Sequence, residues 1–211
     1  MVNYVKLLIA IASVLMLSSL ALAAPESGQL GPYAVSFDMN TDSQPELRVM
    51  EPLQTPAADI FGIPSATNYG MQIFTNNDTN AVVTIKEFAS PVDSTLGPYE
   101  QMLLLQAALN YFNVTNVEDR TIDGKDGFLL TSEPIPENTA VPADVKLYRA
   151  SYWMDSKDYG PVSAGTVRVD ITSSYPQDVT ENLLSSLQVV KGQATAMPPA
   201  SGSTDMPPAT N

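Results

Sequence analysis

The sequence predicts one α+β domain in which helices pack on a central antiparallel sheet. Three observations carry that prediction. Apolar and polar residues alternate in several stretches bounded by turn formers. One stretch, residues 98–112, switches to a helical period. The order along the chain is strands, long helix, strands, short helix, and not a regular βαβ alternation.

Residues 1–23 stand outside that domain. After Lys6, residues 7–23 carry no charge and end in Ala21-Leu22-Ala23, followed by Ala24-Pro25. Small residues at these positions define a secretory signal peptide cut after Ala23. The alternative is a retained anchor helix, because the apolar run approaches a spanning length. No Cys follows the run, so a lipid anchor on cysteine is excluded. Residues 24–30 read as a linker, 31–191 as the domain, and 192–211 as a disordered tail. In that tail Met197-Pro198-Pro199-Ala200 recurs as Met206-Pro207-Pro208-Ala209, and no apolar run accompanies the prolines.

Within the domain, Tyr33, Val35, Phe37 and Met39 alternate with smaller or polar residues and form a half-buried strand. Leu47, Val49 and Leu53 continue the same period in a second strand. Residues 69–75 and 81–89 read as a hairpin, with the turn formers of 76–80 between them. The helix over 98–112 has Ser94 and Thr95 as caps and Pro98 in its first turn, and presents Met102, Leu105, Leu109 and Phe112 at helical spacing. Residues 117–122 and 127–132 flank the turn Asp123-Gly124-Lys125-Asp126. Strands follow over 145–154 and 166–173. A final helix starts at Tyr175-Pro176, shows Val179, Leu183, Leu184 and Leu187, and ends near Val190.

Composition excludes much chemistry. The chain has 23 acidic and 10 basic side chains, no His and no Cys. Disulfides, thiolate nucleophiles, imidazole bases and Cys/His zinc sites are therefore absent. The net charge is −13, and loss of Lys6 with the leader lowers it by one. Such a charge disfavours nucleic acid and anionic lipid as partners. No G-x-S-x-G, S-x-x-K, P-loop or G-x-G-x-x-G pattern occurs. The segment Asp123-Gly124-Lys125-Asp126-Gly127 lacks oxygen ligands at its third and fifth positions and reads as a turn, not a calcium loop.

Several pieces in order resemble the PsbP-like family, named for an extrinsic protein of the oxygen-evolving complex. They are Gly31-Pro32-Tyr33-Ala34-Val35-Ser36-Phe37-Asp38, Val82-Val83-Thr84-Ile85, the helix from Pro98, Ile122-Asp123-Gly124-Lys125, Tyr152, and Tyr175-Pro176 running into Leu183-Leu184-Ser185-Ser186-Leu187. The chain departs from the family pattern after the first strand, where Met39-Asn40-Thr41-Asp42 replaces the Pro and Trp of relatives. The resemblance implies an α/β/α sandwich and an accessory or binding role on the outer face of a membrane, with no catalytic residue.

Two sequons, Asn77-Asp78-Thr79 and Asn113-Val114-Thr115, are candidate glycosylation sites on an exported chain. Tyr148, Arg149, Tyr152 and Trp153 mix aromatic and basic groups in one strand and form the candidate binding surface. The expectation is an exported, non-catalytic accessory protein of the cell surface or envelope, acting through contacts with other envelope or extracellular proteins. It has no cofactor, no metal and no nucleic-acid partner, and touches membrane only through an uncleaved N-terminal segment. An extracytoplasmic small-ligand or divalent-cation module is the alternative, and a carboxylate-based hydrolase a weaker one.

Overall fold

The computed structural model describes residues 25–58, 63–75, 79–92, 112–137, 142, 144–156 and 165–192. They hold eleven strands and one helix: β1 (Glu26–Leu30), β2 (Tyr33–Phe37), β3 (Glu46–Val49), β4 (Leu53–Thr55), β5 (Ala66–Phe74), β6 (Asn80–Phe88), β7 (Phe112–Ile122), β8 (Lys125–Pro134), β9 (Leu147–Trp153), β10 (Val167–Ser173), α1 (Gln177–Ser186) and β11 (Gln188–Lys191). A three-stranded sheet runs β1-β2-β11. An eight-stranded sheet runs β3-β5-β6-β10-β9-β8-β7. β4 pairs with the Ala66–Asn68 end of β5, while β3 takes residues 71–74 of the same strand. Both sheets are antiparallel throughout.

This corrects the expected α+β class and its PsbP-like α/β/α sandwich. The described residues are mostly strand, and α1 is their single helix. Strand structure reaches further along the chain than the alternation in the sequence, because register on a neighbour can hold a strand that lacks an apolar period. The expected long helix falls on residues outside the described set, except Phe112, which opens β7. The expected linker contains β1, a polar strand held in register by β2 across the Gly31-Pro32 turn. The second expected strand is split into β3 and β4 around Met50-Glu51-Pro52. The final helix stops at Ser186, and the chain turns at once into β11.

The core lies between the two sheets. One face of the larger sheet contributes Met71, Ile73, Val83, Ile85, Val169 and Ile171. Tyr33, Val35 and Phe37 of β2 meet them, together with Leu183 and Leu184 of α1. Each such buried side chain contributes about 1.5–3 kcal/mol. Asp178 in the first turn of α1 complements the positive end of its dipole. The helix is tied down by the Arg120–Glu181 ion pair and by Ser186, whose hydroxyl accepts from the Asp38 amide at 2.7 Å. Asp123 (φ 53°) and Gly124 (φ 66°) close the β7–β8 hairpin with two left-handed residues, the backbone a two-residue turn requires. The Asp123 carboxylate accepts from the Val189 amide at 3.1 Å, joining that turn to β11 in the other sheet.

Candidate functional site

Alternation along β9 decides the fate of the expected binding surface. Tyr148 (4% exposed) and Tyr152 (0%) point into the core between the sheets. Tyr152 donates to Asp123 at 3.2 Å. Burial, then the Asp123 carboxylate, raises its pKa far above the usual phenol range. Burial raises Tyr148 as well. Arg149 and Trp153 belong to the opposite face by register. Arg149 is partly buried, and that burial lowers its pKa. Trp153 is 1% exposed and packs with Ala66, Phe88 and Val92 in a second, smaller core. The four residues therefore do not form one exposed surface: three are core, divided between two faces. Of the sequons, Asn77 lies outside the described residues, and Asn113 is exposed on β7.

The face that carries Trp153 also holds a cluster of charge. Asp170 of β10 sits directly across from Ser151 of β9, whose hydroxyl donates to it at 2.7 Å. Lys86 of β6 approaches the same carboxylate at 2.8 Å, and Arg168 at 3.2 Å. Lys86 and Arg168 are themselves register partners, and the Asp170 carboxylate, one pair along the same face, contacts both. Burial alone would raise the Asp170 pKa. The Arg168 guanidinium, then Lys86 and Ser151, more than offset it and hold the carboxyl well below the usual carboxylate range. The guanidinium of Arg168 also lies 5.7 Å from the Phe88 ring centre and 5.8 Å from that of Trp153, in cation–π range. This network ties three central strands together. Sequence alternation sets only Arg168 and Asp170 on one side of β10; Lys86 and Ser151 join them through the β6–β10–β9 register.

The surface that stands out lies at the β3–β4 edge. Among the described residues the exposed large apolar side chains are Val49 (52%), Met50 (40%), Leu53 (64%), Val117 (45%) and Val190 (60%). Three of them fall within five consecutive positions: Val49 and Leu53 are on strands that, among the described residues, pair on one side only, with β5, and Met50 lies between those strands. The Met50 side chain lies over Gly70, and its amide donates to the Gly70 carbonyl at 2.9 Å, which holds the irregular residues between β3 and β4 against the sheet. Unpaired backbone beside apolar side chains is a template for an added strand or an apolar partner. Prolines 45, 52 and 56 mark this stretch as an edge in the sequence, and they were the available signal.

A cleft of about 530 Å³ opens where the β7–β8 turn meets the end of α1. It is lined by Arg120, Asp123, Ser185 and Gln188 among others, and Arg120 is already engaged with Glu181. Among the described residues no group of three His, Cys, Asp or Glu side chains is gathered to hold a metal, and no helix is long and apolar enough to cross a membrane. No family model, curated protein or solved structure matches the chain.

Proposed function

We propose that this protein is an exported, non-catalytic accessory protein of the cell surface or envelope, and that it works by contact with another protein through its β3–β4 edge. The observation that carries the reading is the exposure of Val49, Met50 and Leu53 on a one-sided edge. Exposed apolar clusters of this kind favour association, whereas single exposed apolar residues need no explanation. The uncharged run of residues 7–23 supports export, and the acidic surface favours a protein partner over nucleic acid.

The test is affinity capture from native envelope with the wild-type chain and with L53D. Leu53 is 64% exposed, so the substitution, which puts Asp into a short strand, costs no more than about 1 kcal/mol. The wild type retains a specific partner and L53D loses it. A wild-type chain that is monomeric and unassociated in every fraction overturns the reading.

A further inference from the structure

The larger sheet has two ends, and the contact surface uses one of them. The other is β7, at 11 residues the longest of the described strands. Among the described residues it pairs with β8 alone, and residues 115–119 are exposed. A long unpaired edge is a template for another strand, and sheets guard such edges with charge, bulges or a cover. Charge guards β7 over one half only. Glu118, Asp119 and Arg120 stand on its second half, whereas residues 112–117 carry no charge and leave Val117 45% exposed.

The sequon Asn113-Val114-Thr115 lies in that uncharged half. Asn113 and Thr115 are exposed, while Phe112 and Val114 are half-buried, so both side chains that define the sequon face solvent in the folded chain. The strand pairing passes over Thr115: Val114 faces Ser132 and Asn116 faces Thr131. The sequon therefore ends on a bulge, where the ladder to β8 is interrupted.

We propose that Asn113 carries an N-linked oligosaccharide, and that this glycan covers the uncharged half of the β7 edge and keeps a second copy of the chain from adding a strand there. The proposal rests on the export reading, because sequons are used on exported chains. The donor is an oligosaccharide held through its anomeric carbon on a lipid phosphate. Asn113 Nδ2 attacks that carbon: the N–C bond forms, the C–O bond to the phosphate breaks, the amide gives up one proton to solvent and the lipid phosphate leaves. The attached sugar is bulky and solubilising, which is what a bare edge lacks. Residues 46–55 at the other end of the sheet contain no Asn, so the β3–β4 edge stays open to its partner.

The experiment is a mass-spectrometric peptide map of the full chain from its own organism, with N113Q, T115A and T115S, followed by sedimentation of the purified proteins. The peptide holding Asn113 gains the mass of an oligosaccharide in the wild type and in T115S, and none in N113Q or T115A. Asn113 and Thr115 are exposed, so these variants fold. N113Q sediments as a dimer at concentrations where the wild type is a monomer. Adding V117K to N113Q restores the monomer, because charge then guards the edge, and adding L53D does not. Bare Asn113 on a chain recovered from the envelope or the medium overturns the proposal and leaves the export reading standing. Bare Asn113 on a chain confined to the cytoplasm overturns both. A monomeric N113Q, or a dimer dispersed by L53D and not by V117K, overturns the role given to the glycan.

Discussion

Asp170→Asn removes one charge from the centre of the larger sheet and leaves the side-chain shape almost unchanged. Hydrogen bonds to charged groups contribute about 1.5–3 kcal/mol each, and removing one partner of a buried pair costs about 3–5 kcal/mol. Two facts place this site at the lower end. The Lys86 side chain is 31% exposed and can turn to water, and Ser151 can still donate to an amide oxygen. Arg168, with a side chain 9% exposed, cannot leave. It stays beside a neutral amide in place of the carboxylate. The expected loss is about 3 kcal/mol, read as a shift in urea midpoint at neutral pH with an unchanged slope.

The acid dependence follows from the same network. A depressed folded-state pKa contributes stability that is fully present above the unfolded value, about 3.9, and is lost as pH falls through the folded value. Wild-type stability therefore erodes through Asp170 below about pH 4, and that part of the slope is missing in D170N. A loss below about 1 kcal/mol, or identical acid slopes in the two proteins, would refute the account of this cluster.

Two further substitutions test the joints between layers. Tyr152→Phe deletes the hydrogen bond to Asp123 but leaves that carboxylate the Val189 amide, so it costs about 1 kcal/mol by denaturant titration. Gly165→Ala places a methyl against the Trp153 ring, which is fixed by Phe88 and Val92, and costs about 1–3 kcal/mol with a change in tryptophan fluorescence.

The central strands were legible because both of their neighbours reinforce the pattern that the sequence displays. Val167, Val169 and Ile171 alternate in the chain and are buried in the fold. β1 was not legible: Glu26, Ser27, Gly28 and Gln29 carry no apolar period, and pairing with β2 makes the strand. The end of the expected long helix shows the same limit. Phe112 fits the helical spacing of the residues before it, yet pairs with Pro134 in β7. For the candidate site, strand alternation already sets Tyr148 and Tyr152 opposite Arg149 and Trp153, but it does not show that both faces are covered, with Trp153 in a second core beside Phe88 and Val92. In the sequence the apolar edge looks like an ordinary continuing strand, because exposure at an edge depends on which strand comes last in the sheet. That order is set by long-range pairing and leaves only prolines as a local mark.

The most direct test of the contact surface is site-specific photo-crosslinking in native envelope, with the reactive side chain placed at Leu53 and, separately, at Glu137, an exposed position outside the strands. The account predicts a discrete cross-linked partner from position 53 and none from position 137. Equal labelling from both positions, or no product from position 53, would contradict it.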